Sequence, residues 1–386
     1  MKHPFLLTAA LTGIAFLPAL AQESAPAERN ASLKMEIERA VAKGVAFLQS
    51  KQNADGSWSD AEMPALTALP VRAIAGDPNR KEGQPLSEPT KKAVDWLLKT
   101  QKEDGGFYNR GLGSYNTAIV MMALLAANDP AHHDALLKAR GYLVKQQHDF
   151  DVPGQKDNPL DGGLGYGSRP IPDMSNTMIA MEALVKTKKL FEDRGDKQAA
   201  DLDWEAALTF ISRSQNLPGT NDQAWAQSPS AEDHGGFIYS PTESKAGEVA
   251  LPGGGKGQRS YGSMSYAGLL SMIYADVKAD DPRVVGVRDW VSRNYTLKEN
   301  PNMGAQGLFY YYHTMAKALV AANVSRIEKK DAEPVDWRTE LAVKLFDLQK
   351  SDGSWLNDES KRWMEDDGVL VTAYALLALE QIYHSF

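Results

Sequence analysis

Gln52-Asn53-Ala54-Asp55-Gly56-Ser57-Trp58, Gln101-Lys102-Glu103-Asp104-Gly105-Gly106-Phe107 and Gln349-Lys350-Ser351-Asp352-Gly353-Ser354-Trp355 share one spacing, Gln-x-x-Asp-Gly-Gly/Ser-aromatic. Each follows a segment of helical periodicity and precedes a far more apolar one. Three looser copies complete the series. They are Gln147 with Asp161-Gly162-Gly163-Leu164-Gly165-Tyr166, Gln215 with His234-Gly235-Gly236-Phe237, and Asn302-Met303-Gly304-Ala305-Gln306-Gly307-Leu308-Phe309. In a repeat of this period each unit is one supersecondary element that buries its apolar face only against its neighbours.

The segments before the motifs carry a single apolar stripe: Ile37, Val41, Val45 and Leu48 in the first unit, Leu341, Leu345 and Leu348 in the last. One wet face places these helices outside. The segments after the motifs are apolar all round, as from Ala118 to Ala127, and from Val369 to Leu379 with only Thr372 and Tyr374 interrupting. Such helices are buried. Their starts are expected near Met63, Ser114, Asp173, Ser260, Tyr310 and Asp367. Short connections make neighbours antiparallel, so the expected fold is all-α, an α/α toroid of two concentric rings of six helices. The Asp-Gly-Gly turns supply the left-handed backbone needed after a helix and read as structural, not catalytic. Two insertions, Asn216 to Asp233 and Ser240 to Arg259, are candidate ligand covers.

The toroid fills residues 33–386 as a single domain of a 386-residue chain that is 43% hydrophobic and 24% charged, enough for a sizeable core. A net charge of −8 argues against nucleic acid as a partner. The absence of cysteine excludes disulfides, thiolate zinc sites and cysteine nucleophiles. His132-His133 and His148 lack the carboxylate spacing of a metal site, so neither metal nor cofactor is expected. Residues 1–21 read as a signal peptide, with Lys2 as basic start, an apolar stretch from Leu6 to Leu17 and Ala19-Leu20-Ala21 as cleavage site. Cleavage after Ala21 would deliver the protein to the periplasm or outside the cell, with residues 22–32 as a polar linker. No later segment is expected to span a membrane. Nothing in the sequence specifies an oligomeric state.

The Gln-x-x-Asp-Gly-Ser-Trp units resemble the QW repeats of the prenyltransferase and squalene-hopene cyclase superfamily, over essentially the whole chain after residue 32. The resemblance implies the toroid and a lipophilic, isoprenoid-type ligand in its central cavity. It also implies terpene cyclase or mutase chemistry, in which an Asp-x-Asp-Asp-Thr-Ala motif at an inner-helix start presents a protonated aspartic acid to an alkene. Asp173-Met174-Ser175-Asn176-Thr177-Met178 is the nearest equivalent, with Ser175 and Asn176 replacing the later acids. Glu365-Asp366-Asp367 carries acids a helical turn too early relative to Thr372-Ala373. The zinc of protein prenyltransferases needs a cysteine, so that activity is set aside.

All inner-helix starts converge on one mouth, which makes it the expected ligand site. Asp173 is the expected acid, oriented by Asn176 and Tyr115, with His313 as a further catalytic candidate. Asn116, Arg259, Tyr261, Tyr311, Tyr312, Asp366 and Asp367 are expected to bind substrate, the tyrosines through cation-π contacts. Arg110, Arg169, Arg259 and Arg362 precede four starts and, with the helix N-termini, would favour an anionic group at the mouth. Two other readings remain. In a polysaccharide lyase, Tyr312 or His313 would remove a proton while Arg259 and Asn176 neutralise a uronate. A non-catalytic binding or scaffold protein would plug the cavity with Tyr310 to Tyr312 and methionines.

Overall fold

The computed structural model describes residues 26–81, 83–167, 171–192, 195, 200–251, 254–329 and 332–386. Residues 1–21, expected as a signal peptide, and Arg169 lie outside the described residues. Among the described residues, twelve α-helices follow one another. The outer set is α1 (Pro26–Ser50), α3 (Glu88–Lys99), α5 (His133–Val144), α7 (Trp204–Arg213), α9 (Pro282–Asn294) and α11 (Trp337–Leu348). The inner set is α2 (Ala65–Gly76), α4 (Gly113–Ala127), α6 (Met174–Glu192), α8 (Gly262–Tyr274), α10 (Leu308–Ala321) and α12 (Gly368–His384). Inner helices pack in the order α2, α4, α6, α8, α10, α12 and back to α2, so the inner ring closes as expected. Helix α1 begins at Pro26, inside the segment expected as a linker; its alanines and glutamate favour helix, and the turn simply extends the first outer helix.

Two antiparallel hairpins interrupt the pattern. Strands β1 (Glu248–Ala250) and β2 (Lys256–Gln258) lie in the glycine-rich insertion, and β3 (Ile327–Lys329) and β4 (Ala332–Val335) lie between α10 and α11.

The repeat motif works as a two-way staple. Its glutamine amide donates both to the glycine carbonyl of its own turn and to a backbone carbonyl of the next outer helix. Gln52 Nε2 reaches Gly56 at 2.8 Å and Pro89 at 2.9 Å. Gln101 reaches Gly105 at 3.0 Å and Ala135 at 2.8 Å, and Gln215 reaches Gly235 and Arg283 at 2.9 Å each. Gln147 bonds Gly162 and the Asp203 carbonyl that caps α7. Gln349 does the same with Gly353 and, at 2.9 Å, with Ala40 of α1, joining the last outer helix to the first. The motif glycine is required twice over. Gly353 has φ +89°, and a Cβ there would overlap the Lys43 carbonyl oxygen of α1.

The last residue of the motif, aromatic in four copies and Leu164 in another, staples inward. Its backbone N–H donates to a hydroxyl on the inner helix that follows: Trp58 to Thr67, Phe107 to Thr117, Leu164 to Thr177, Phe237 to Ser265, Trp355 to Thr372. Both tryptophans are buried, and their indole N–H groups bond the carbonyls of Leu48 and Leu345 at 2.7 Å.

Replacing Gln349 by Ala leaves two carbonyls short of a donor and is expected to lower stability by about 1–3 kcal/mol. Gly353→Ala forces a side chain into left-handed backbone, at a cost of about 1–3 kcal/mol before the overlap with Lys43 is counted. Urea unfolding checks both; midpoints equal to wild type would remove the staple's role.

Candidate functional site at the centre of the ring

The inner-helix starts gather at one end, and the structure assigns most of their N–H groups to protein acceptors. Asn116 Oδ1 accepts from Ala65 N at 3.0 Å, Asn300 Oδ1 from Ser263 N at 2.9 Å and Glu365 Oε1 from Tyr310 N at 2.9 Å, each capping a neighbouring inner helix. Asp367 Oδ1 caps its own helix through Val369 and Leu370. Backbone carbonyls of Tyr166, Tyr239 and Pro301 take the amides of Ser114, Met174 and Gly262. With these donors used, the mouth is not the anion site expected from its N-termini. Its arginines do not converge either. Arg110 and Arg362 are exposed, Arg362 bonding Gln306 and lying over the Trp363 ring, and Arg259 pairs with Glu232 at 3.6 Å.

Asp173 is 1% exposed at the start of α6. Its Oδ1 accepts the Asn176 N–H at 2.9 Å, its Oδ2 accepts the Asn176 amide at 2.7 Å, and the Tyr239 hydroxyl donates to it. Burial raises the carboxyl to about 6 despite these donors. Tyr166 and Tyr261 also face this charge. The Tyr166 hydroxyl is pushed up to about 12 by burial, then by Asp173, and Tyr261 is pushed well up by burial, then by Tyr310 and Asp173.

Contacts between inner helices that are not ring neighbours mark what reaches the axis. Ser175 of α6 meets the Tyr310 hydroxyl of α10 at 2.8 Å, and Tyr115 of α4 meets Tyr374 of α12 at 3.5 Å. Tyr310 packs edge-on against Tyr374, with ring centres 5.9 Å apart, and His313 stacks on Tyr374 at 5.6 Å. Tyr115, Ser175 and Tyr310, in the first turns of helices that are otherwise core, and Tyr166 and Tyr239, in the loops before α6 and after α7, are all half-buried at the mouth. One turn deeper, Ile119, Ile179, His313 and Tyr374 keep 5–8% exposure in a core where most residues have none. His313 Nδ1 has no hydrogen-bond partner there. Burial, then the charges of Lys317 and Arg72, keep its imidazole well below the usual histidine range, so it is neutral.

The centre thus gathers Asp173, Asn176, Tyr115, Tyr261 and His313 from the sequence expectation. Four expected residues are placed elsewhere. Tyr311 and Tyr312 are fully buried and turn away from the axis, their hydroxyls donating to the carbonyls of Thr296 at 2.8 Å and Leu297 at 2.6 Å. A helix rotates 100° per residue, so only Tyr310 of the three-tyrosine run faces inward. Arg259 is held on the rim by Glu232, and Asp366 is exposed. Asn116 and Asp367 serve as caps. The lyase set is therefore not assembled: Tyr312 and Arg259 lie apart from His313 and Asn176.

Residues that sequence reasoning passed over include Tyr166, Tyr239 and Tyr374; Glu365, weighed only as part of an acid motif, is buried and also accepts from Asn357 at 2.6 Å. A second group lies two turns deeper. Glu182 of α6 bonds Lys317 of α10 and, at 3.1 Å, Arg72 of α2, again across the ring. Burial alone would raise the Glu182 carboxyl, but the Lys317 and Arg72 charges hold it down to about 2. Glu380 of α12, 5% exposed, is pushed well above the carboxylate range by burial. The available signal was a lone charge inside each of the apolar helices α2, α10 and α12, and in α6 the charge nearest its apolar start.

No family model matches the chain. The chain is 29% identical over 164 residues to squalene–hopene cyclase of Alicyclobacillus acidocaldarius, a match covering 40% of this chain and 24% of that enzyme. It is 37% identical over 76 residues to drimenyl diphosphate synthase of Streptomyces showdoensis, covering 19% of this chain and 14% of that enzyme. The chain thus matches about a quarter or less of the length of these curated relatives. In fold it is similar to a type II terpene cyclase from Scytonema, with TM-score 0.55 and 14% identity over 92% of this chain and 99% of that one. The Candida albicans protein geranylgeranyltransferase-I aligns with TM-score 0.55 and 12% identity, covering 88% and 90% of the two chains. A further structure of the Scytonema cyclase, in complex with geranylgeranyl dihydroxybenzoate, aligns over 92% of this chain and 99% of that one, with TM-score 0.52 and 14% identity. Together the repeats, the closed double ring and these likenesses support a squalene cyclase/prenyltransferase-like superfamily.

Proposed function

We propose that the protein is an exported terpene cyclase-like enzyme that takes a lipophilic, isoprenoid-type ligand into the centre of its toroid. The observation that carries this reading is a fully buried carboxyl, Asp173, raised to about 6 and surrounded by tyrosines. A neutral carboxylic acid in an apolar, water-poor site is suited to protonating an alkene. The proton passes from Asp173 to one alkene carbon, leaving a carboxylate and a carbocation. The faces of Tyr115, Tyr166, Tyr310 and Tyr374 stabilise the cation, and transfer of a proton from an adjacent carbon back to the Asp173 carboxylate ends the isomerisation and restores the acid. Asn176 and Tyr239 position the acid. The likeness to a cyclase and a diphosphate synthase in sequence, and to isoprenoid-handling proteins in fold, supports the same class of ligand.

The second reading is a binding protein without turnover. It is favoured by the Ser175–Tyr310 contact, which crosses the mouth and must part before a long ligand enters.

Asp173→Asn keeps an oxygen to accept the Asn176 N–H but has no proton to give. With a panel of linear isoprenoids, wild-type turnover detected by mass spectrometry should vanish in this variant while binding persists. Turnover surviving in Asp173→Asn removes Asp173 as the acid, and absence of turnover in the wild type favours the binding protein.

Activity should also follow pH with a definite sign. The acid must be protonated, so kcat is expected to be high below about 6 and to fall tenfold per unit well above it. A rate that rises through that range is incompatible with this role.

Export from residues 1–21 is part of the proposal. N-terminal sequencing of the protein from the periplasm or medium should begin at Gln22. Recovery from the cytoplasm with Met1 intact would overturn it.

A further inference from the structure

The contact that crosses the mouth, Ser175 to Tyr310, depends on how α10 begins. Helix α10 has no cap of its own: its N-cap is Gly307, in left-handed backbone at φ +64°, with no side chain to take the N–H groups of the first turn. Glu365 supplies the missing acceptor from another unit. Its Oε1 takes the Tyr310 N–H at 2.9 Å, and the N–H groups of Phe309 and Leu308 also donate to the carboxylate. Asn357 holds the other oxygen at 2.6 Å and, with the same amide nitrogen, bonds the Ala305 carbonyl at 2.7 Å in the turn before α10. The Glu365 carboxyl is 1% exposed; burial pushes it up, and the Tyr310, Asn357, Phe309 and Leu308 donors pull it back.

The backbone that delivers Glu365 is strained. Trp363 and Met364, side by side, have φ +57° and +65°, a region disfavoured for any residue with a Cβ. Such residues persist only where their surroundings over-determine them, and they mark switch regions and ligand clamps. Here Arg362 bonds Gln306, the Trp363 ring lies against Gly307, and the Asn357 N–H donates to the Glu365 carbonyl at 3.1 Å. Trp363 is nonetheless 43% exposed, so the segment is clamped to the turn before α10 on one side and open to solvent on the other. The strain places one carboxylate over one helical turn. That turn carries Tyr310 across the mouth.

We propose that residues 362–365 form a strap that closes the mouth, with Glu365 as a positioning residue: by capping α10 it holds the Tyr310 hydroxyl against Ser175 of α6 until the strap lifts. Relaxing the left-handed pair Trp363-Met364 offsets part of the cost of parting Glu365 from α10, which brings the closed and lifted states close enough for a ligand to shift their populations. The Tyr310 ring, edge-on to Tyr374, moves with the same turn. The strap stands on this geometry alone. Its service as an entrance rests on the reading under Proposed function that a lipophile reaches the centre of the ring.

Hydrogen exchange of the full chain without ligand, read peptide by peptide by mass spectrometry, tests the strap. In Glu365→Ala the amides of 308–310 should lose protection by about tenfold or more and, across the mouth, those of 174–177 by about threefold or more, while α3 keeps its own. Tyr310→Phe keeps the cap but loses the hydroxyl, so it should loosen 174–177 alone. Glu365→Gln keeps an acceptor oxygen and should restore most of the protection on both sides, which guards against a folding defect in Glu365→Ala. A loss confined to 308–310 makes Glu365 a local cap and overturns the strap. Farnesol association, followed by stopped-flow tryptophan fluorescence, then tests the entrance. It should quicken about threefold or more in Glu365→Ala and in Tyr310→Phe, and no further in the double variant, because both act on one contact. Association at the wild-type rate, or additive gains, overturns the entrance. If farnesol does not bind, the lipophile reading fails, and the exchange pattern alone upholds or overturns the strap.

Discussion

The bridge made by a glutamine side chain between its own turn and the next outer helix is the constraint on which the rest of this structure depends. An amide with two N–H groups can satisfy two carbonyls at once, and here one lies within the unit and the other in its neighbour. The adjoining glycine lets the turn approach the neighbouring helix to backbone contact distance, and the aromatic's amide ties the turn to the inner helix. One short motif therefore fixes three positions: outer helix to outer helix, outer to inner, and the point where each inner helix begins. Every side chain at the axis inherits its place from these staples.

Much of this was legible in the sequence, for physical reasons. Helices that are apolar all round must be inside, and a stripe of Ile37, Val41, Val45 and Leu48 must face them, so the double ring and its helix starts follow from periodicity. What periodicity cannot supply is the rotation of each inner helix. Tyr310, Tyr311 and Tyr312 look alike as letters, yet only the first faces the axis, while the other two tie their hydroxyls to the carbonyls of the turn after α9. Asp173 and Asn176 were legible because they begin a helix and match part of a motif. Asn116, placed like them, turned out to cap a neighbour, which no local pattern reveals. Arg72, Glu182 and Lys317 were present as charges within apolar stretches; their pairing across the ring depends on knowing which helices face each other.

The two ends of the axis differ in how they treat charge. At the mouth, helix N-termini that would attract anions are neutralised by Asn116, Asn300, Glu365 and backbone carbonyls, leaving hydroxyls, aromatic faces and one buried acid. At the far end, Glu182 pairs with both Lys317 and Arg72 across the ring.

The bond from Gln349 to Ala40 joins helices close to the two ends of the chain. Open repeat arrays need specialised end units with a polar outer face, and their stability is graded from the middle outward. This ring has no ends: α12 packs on α2 as any inner helix packs on the next. The weak arc must be sought elsewhere, where the staple is missing, and that is between α9 and α11. There the fifth unit has no glutamine at the stapling position after its outer helix, and the Tyr295 hydroxyl bonds Glu340 in its place at 3.1 Å, beside the β3–β4 hairpin. The natural opening of the toroid is thus set by sequence irregularity and not by the chain termini, so local unfolding should begin inside the chain while its two ends stay clasped.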